Sequence, residues 1–354
     1  MERQPCRAAA PPLTPFASGR GNERVPMSQA TAHTARWRLI GFLLSAVGSM
    51  LFAIKGVLIK LIYVYQIDTT ALLAVRMLLS LPVFFGVGLL EWRRRPAAQR
   101  PDARSVGLAA LVGILGYHVS SWLDFAGLQS VEAQAERLIL FTYPFLVILF
   151  GRLIFGHRLR FHALAGAGLS YAGLLVMFGS DPARLTPTMI GGAGMILAAA
   201  GTFALYQLFA RELILRCGPA LFTAIAMSAA GLSVIAHFAL THGIALPPAP
   251  PRAWALMIGL AVFSTIVPTF MMSAGTARIG AQGTAIISTI SPVVTIALAI
   301  IVLGEPFGIG EAAGTLLVIG GVGLFTWIES RPGRRRSKSV MPAEAGISGE
   351  GRRG

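Results

Sequence analysis

Charge is what this chain has least of. Only 13% of its 354 residues are charged and 55% are hydrophobic, whereas soluble domains carry about 25% charge. A water-soluble fold of this size could not cover its surface with so few polar groups. Cysteine is almost as scarce. Cys6 and Cys217 have no metal-ligand spacing, so neither a disulfide nor a metal site is expected, and no cofactor. No G-x-x-x-x-G-K-[ST] run occurs, which excludes ATP binding by a P-loop. The absence of H-E-x-x-H and G-x-S-x-G removes the commonest zinc and serine hydrolase motifs. The first 36 residues hold no apolar run of signal-peptide length.

What is present is long apolar runs. Leu185–Ala210, Ala253–Ala277 and Ile279–Gly304 carry no charge over 25 or 26 positions each. A bilayer-spanning helix needs about 20 such residues. The pattern predicts an all-α, multi-pass membrane protein with ten spans. Their limits are 38–59, 72–91, 105–127, 135–155, 162–180, 189–210, 219–241, 253–274, 282–303 and 310–328. Residues 1–36, with Pro5, Pro11, Pro12 and Pro15, read as a disordered cytosolic tail, and residues 330–354 as a basic one. Met27 is an alternative start. The links are too short for a soluble catalytic domain.

The net charge of +15 is explained by orientation. With both termini inside, 24 of the 30 basic residues fall on the cytosolic side, with only Lys60, Arg184 and Arg252 outside and Lys55, Arg76 and Arg137 within the membrane zone. This is the positive-inside bias of a plasma (inner) membrane protein, and it calls for no nucleic-acid partner. The arginine clusters suit anionic lipid.

An internal repeat organises the spans. A shift of 148 positions lays Ala126–Gly127 on Ala274–Gly275, Ala133–Gln134 on Ala281–Gln282, and Pro144 on Pro292. The same shift lays Gly156 on Gly304, Gly166 on Gly314 and Gly173 on Gly321. The unit has five spans, an odd number, so two copies must face opposite ways. His157-Arg158-Leu159-Arg160 marks an inside link. Its mate Glu305-Pro306-Phe307-Gly308 has no basic residue. Inverted repeats of this kind are a signature of secondary transporters, with substrate bound near the midplane.

Here the chain resembles the EamA repeats of the drug/metabolite transporter superfamily. The resemblance rests on Pro144 with Gly156–Gly173, on Pro292 with LGEPFGIGEAAGTLLVIGGVGLF (303–325), and on Arg76 near the start of the second helix. It covers residues 38–328 and implies two repeats, at 37–181 and 188–329. His157 stands where that unit usually has Glu. The resemblance implies transport, mostly export or exchange of small metabolites, without naming a substrate.

Charge inside a bilayer costs about 2.5–3.5 kcal/mol on insertion scales and usually faces a cavity or a partner. Lys55, Arg76, Asp124, Glu136 and Arg137 all map to the outer third of the first repeat. One reading is a vestibule binding a carboxylate or phosphate through Lys55, Arg76 or Arg137. The other is an Asp124–Arg137 staple across the hairpin, with Lys55 and Arg76 snorkelling. Tyr117, Ser121 and Asp124 form one helical stripe, and His118, Trp122 and Phe125 the next. These suit an amphipathic solute, or else core packing and an aromatic belt. Asp124, Glu136 and His118 are the candidate proton exchangers.

Pro144 and Pro292 free the carbonyls of Leu140 and Ser288, which makes both prolines candidate hinges. Thr142, Tyr143, Ser288, Ser291 and Thr295 lie beside them, and Tyr206, Gln207, Thr265 and Thr269 are weaker candidates. The small-residue stripes Gly41-Ser45-Ser49-Ala53 and Gly310-Gly314 read as helix packing, the latter also as the seam of a homodimer. The reading that follows is a secondary transporter, not an enzyme. It exports a small metabolite or amphipathic compound by alternating access. A lipid-carrier flippase is the alternative within the class, and an integral-membrane enzyme or subunit the alternative outside it.

Overall fold

The computed structural model describes residues 27–156, 161–179, 185–288 and 290–330, and these are all helices and short links. The first span is α1 (Met27–Ala53) and α2 (Lys55–Tyr63), with Ile54 between them. α3 (Thr69–Arg94) starts from Asp68, whose carboxylate accepts hydrogen bonds from Thr70 N (2.7 Å) and Ala71 N (3.3 Å). α4 (Ala103–Gly113) and α5 (Ser120–Gly127) form one rod through a π-helical turn at Ile114–Val119. α6 (Ala133–Leu140) and α7 (Tyr143–Phe155) form the next, then α8 (Phe161–Gly179). The second half is α9 (Pro187–Cys217), α10 (Pro219–His242), α11 (Pro251–Ala261), α12 (Val267–Ser288), α13 (Ile290–Leu298) and α14 (Ile309–Ser330). α12 is two rods, broken at Gly280 (φ 79°).

Among the described residues, seven helices are long and apolar enough to cross a bilayer. Three shorter apolar stretches, Leu164–Gly179, Ile290–Leu303 and Ile309–Phe325, coincide with the fifth, ninth and tenth expected spans. Large apolar side chains line the outside of the bundle: Leu175 is 74% exposed and Leu215 81%. That belt matches a lipid solvent.

Two expected boundaries move most. α1 begins at Met27, inside the expected tail, because Pro26 is followed by no proline or glycine until Gly41. α9 runs to Cys217, beyond the expected limit of 210, since nothing between Gly201 and Gly218 breaks it. Cys217, expected in a loop, is therefore the buried last residue of a helix. Residues 1–26 and 331–354 of the expected tails, the link His157–Arg160 and Arg184 lie outside the described residues.

The repeat is visible in local geometry. Gly156 (φ 67°) and Gly304 (φ 66°), repeat mates, both end helices in the left-handed conformation, which glycine adopts without strain. The π turn at Ile114–Val119 has its mate at Val262–Ile266. Such turns are rare and cluster at functional sites. α8 and α14 cross antiparallel with glycine facing glycine. A Cβ at Gly173 would lie 2.7 Å from the Gly314 carbonyl oxygen, and one at Gly166 2.9 Å from that of Gly321. Gly166 thus meets the mate of Gly173, and Gly173 the mate of Gly166, the reciprocal pattern of a two-fold contact. Gly314 is consumed by this packing, so its face is not a free dimer seam.

Span one and span nine are joined by hydroxyls. Ser45 pairs with Thr284 (3.4 Å) and Ser49 with Ser288 (3.1 Å). Ser291 and Thr295 donate to the carbonyls of Ser49 (3.3 Å) and Ala53 (2.8 Å). The stripe Gly41-Ser45-Ser49-Ala53 is this packing face. The largest apolar core lies among α2, α3, α5, α10 and α11, around Ile59, Leu72, Phe125, Met227 and Met257.

Candidate functional site

The break at Ile54 places Lys55 at the first turn of α2, pointing between the spans. Its ammonium forms ion pairs with Asp124 of α5 and with Glu136 of α6, the latter at 3.1 Å. Gly56, one residue on, leaves room for that carboxylate: a Cβ there would sit 3.1 Å from Glu136 Oε2. Arg76 of α3 is 6% exposed. It donates to Ser121 Oγ at 3.3 Å, and its guanidinium lies 4.9 Å above the Phe125 ring. Arg137 of α6 donates to Ser291 of α13, across the two halves of the chain.

The five ionic side chains expected in the outer vestibule therefore do gather. Of the two readings, the Asp124–Arg137 staple does not form: Asp124 pairs with Lys55. Lys55 emerges between Asp124 and Glu136 because α1 breaks beside them, so the nearer cation takes the carboxylate. Arg76 does not snorkel either; it is buried against Phe125.

Three cations face two carboxylates, an excess of one positive charge. The partnering is also incomplete. Arg76 Nε, Arg137 Nε, Asp124 Oδ1 and both Glu136 oxygens are buried and make no aligned hydrogen bond to protein. Buried charges are stable only when paired and hydrogen-bonded. This group thus has hydrogen-bonding capacity to spare. A carboxylate or phosphate oxygen is the chemical complement of two spare guanidinium donors.

The remaining candidates flank the cluster. Tyr117 OH shares a hydrogen bond with Tyr206 OH (3.1 Å), and Tyr143 packs edge-on against Phe203 at 5.3 Å. Phe203 stacks on Tyr206 at 5.5 Å, so an aromatic row runs from span four through span six to span three. Trp122 Nε1 donates to Thr70 (3.2 Å) at the start of α3. Ser288 and Ser291 are engaged with span one, as described above. Pro144 sits in the first turn of α7, just after a break at Phe141–Thr142, while Pro292 lies within α13.

His118 is the member the sequence placed least well. It occupies the π turn. Its Nδ1 meets Ser233 Oγ at 2.8 Å, and its Nε2 meets His237 Nδ1 at 3.2 Å. Neither partner was a candidate. They lie more than 100 residues away on α10, and nothing short of the helix pairing signals them. A second missed residue is Glu305, in the outer link after span nine. Its carboxylate accepts from Ala133 N (2.7 Å) and Gln134 N (3.2 Å), the first amides of α6. Burial raises its pKa above the ordinary carboxylate value, against the pull of those two amides. Among the described residues no group of three or more metal-ligating side chains occurs.

A bundle of long apolar helices with glycine-packed mates and a buried ionic cluster has the make-up of a multi-pass membrane protein. The profile of the EamA-like transporter family matches residues 39–179 and 190–327. The chain is 30% identical over 302 residues to the uncharacterized transporter YcbK of Bacillus subtilis, covering 83% of this chain and 93% of that one. It is 24% identical over 243 residues to the aromatic amino acid exporter YddG of Ancylobacter novellus, covering 65% and 82% respectively. A solved crystal structure shares the fold, with a TM-score of 0.55 at 20% identity over 84% of this chain and 99% of that one. The chain belongs to the EamA-like transporter family.

Proposed function

We propose that the protein is a secondary transporter exporting a small amphipathic metabolite that carries one carboxylate or comparable anionic group. Ten spans form two inverted five-helix repeats in the plasma (inner) membrane, with both termini cytoplasmic. The reading rests above all on the buried cluster of Lys55, Arg76, Asp124, Glu136 and Arg137, one positive charge in excess and with guanidinium donors to spare. The antiparallel crossing of α8 and α14 supports inverted repeats. The aromatic row beside Arg137 suits the apolar part of such a solute, as does the likeness to an aromatic amino acid exporter. In this reading Lys55, Arg76 and Arg137 hold the anionic group, with Ser121 and Ser291 beside them. Tyr117, Trp122 and Tyr143 flank the apolar part, and Pro144 and Pro292 are the hinges of alternating access. Asp124, Glu136 and His118 are the candidates for proton coupling.

The test is thermal stability of the purified protein against amino acids, nucleosides, sugar phosphates, polyamines and hydrophobic cations, followed by flux of any hit in proteoliposomes. Stabilisation by carboxylated amphipaths and their efflux support the reading. Stabilisation by hydrophobic cations alone refutes it. The lipid-carrier alternative has one observation in its favour. An apolar groove of about 490 Å³ opens on the outside of the bundle, lined by Arg38, Leu39, Phe42, Ile279, Gly283 and Ile287. A polyisoprenyl phosphate that stabilises the protein while soluble anions do not favours that reading.

A further inference from the structure

Glu305 does more than end a helix. It sits in the link after span nine, in the second repeat, and it caps α6, which opens span four in the first. Gln134, the second residue of α6, returns the contact: its side-chain amide donates to the Pro306 carbonyl at 2.8 Å. Three hydrogen bonds thus tie the outer ends of mate helices from opposite repeats. The helix so held carries Glu136 and Arg137, two members of the ionic cluster. An N-terminal cap acts on the unpaired amides and positive end of a helix, so this carboxylate is well matched to its place. The repeat mate of Glu305 is His157, and the mates of Ala133 and Gln134 are Ala281 and Gln282. A neutral or cationic imidazole cannot supply two carboxylate lone pairs to backbone N–H groups. The sequence therefore puts no carboxylate at the inner mate position.

We propose that Glu305 is the outer latch of the transporter and a positioning residue for the site. Its one-sidedness biases the resting protein toward the state closed outside and open to the cytosol. Which side is outer rests on the orientation proposed above. A resting state that loads from the cytosol is the one an exporter requires.

The experiment reads accessibility and needs no substrate. Cys6 and Cys217 are replaced by serine, and a reporter cysteine is placed at Ser121, beside Arg76 in the ionic cluster. A membrane-impermeant maleimide is then applied from the outside or, in inverted vesicles, from the inside. Glu305→Ala is expected to raise outside labelling about fivefold, the effect of losing a typical charged cap, and to lower inside labelling. Glu305→Asp should restore most of the difference. His157→Glu, which supplies a carboxylate at the inner mate position, should move labelling in the same direction as Glu305→Ala. Unchanged rates in folded Glu305→Ala overturn the latch, and so does a rise on both sides, which signals a loosened scaffold. Where Glu305→Ala fails to fold, His157→Glu decides: an outward shift supports the latch and no shift overturns it. A latch that passes while no solute is transported leaves the transport reading as the part that fails.

Discussion

Removing Lys55 is the sharpest test of the ionic cluster. Its side chain is 15% exposed, while Asp124 and Glu136 are 5% and 1% exposed, so solvent screens the group little. Lys55→Met keeps the length of the stem and removes the charge. Two buried carboxylates then lose their nearest cation. Leaving a buried ion uncompensated costs about 3–5 kcal/mol, so we expect a loss in that range. Lys55→Met with Asp124→Asn restores the original excess of one positive charge and leaves only Glu136 to relieve. The two anions share one cation, so the double variant should recover about half of the loss, roughly 2 kcal/mol or about thirtyfold in the folded-to-unfolded ratio. Asp124→Asn alone leaves Lys55 paired with Glu136 and should cost less than Lys55→Met. The assay is reversible denaturation of the purified protein in mild detergent across the four variants of this cycle. Additive losses, with the double variant as weak as the sum of the singles, would refute the argument. They would mean that Lys55 and Asp124 are stabilised independently.

Further expectations follow from other contacts. Arg76→Gln should leave a folded protein whose thermal stabilisation by ligand disappears. The wild type should gain about 2.7 kcal/mol at one hundred times the dissociation constant, and an unchanged ligand shift removes Arg76 from the site. Gly173→Val should destabilise by at least about 2 kcal/mol, because the Gly314 backbone, which cannot rotate away, lies 2.7 Å from the Cβ position. Unfolding midpoints equal to wild type would refute the close crossing. Glu305 should give the protein a pH dependence. Its folded pKa is raised, so the stability it contributes is fully present below the ordinary carboxylate value and is lost as pH rises through the folded one. Glu132 and Lys60 are the other ionisable groups that face it. Unfolding midpoints of the wild type should accordingly fall as pH rises over that window. Glu305→Gln should flatten the profile, and a profile unchanged in that variant would assign the titration elsewhere.

The large features were legible in one dimension because they obey strict local rules. Apolar runs marked the crossing helices, and a shift of 148 positions paired the glycines that the structure finds in left-handed caps and in the α8–α14 crossing. The five intramembrane charges were legible because charge in an apolar run has few explanations. Their partners were not. Whether Asp124 takes Lys55 or Arg137 depends on the break at Ile54, and Gly56 two residues on is a weak signal in a span that also holds Gly41 and Gly48 within its helix. The π turns escaped for a similar reason. Ile114–Val119 and Val262–Ile266 hold residues that an ordinary α-helix also accommodates, so their sequence does not announce the wider turn. One of those turns carries His118 toward Ser233 and His237, so the missed turn and the missed partners are a single omission.

The repeat divides the residues into two kinds. Gly156 and Gly304 at helix ends and the glycines of the α8–α14 crossing recur under the 148-residue shift, as do the π turns at Ile114–Val119 and Val262–Ile266 and the prolines of spans four and nine, whereas a π turn at Ala299–Leu303 has no mate. The charges do not recur. The mates of Lys55, Arg76, Asp124, Glu136 and Arg137 are Phe203, Ala224, Met272, Thr284 and Ala285. Elements that recur can exchange conformations between the halves, since each half can adopt the geometry of the other. A site that does not recur stays on one half, where a single anionic group is enough to balance it. Duplicating the cluster would put about six cations and four carboxylates in one low-dielectric core, with like charges repelling across the symmetry axis. A single-sided cluster avoids that repulsion. For the anionic solute proposed above, it also makes one occupant per cycle the electrostatic optimum, because a second anion would find no excess positive charge left to neutralise it.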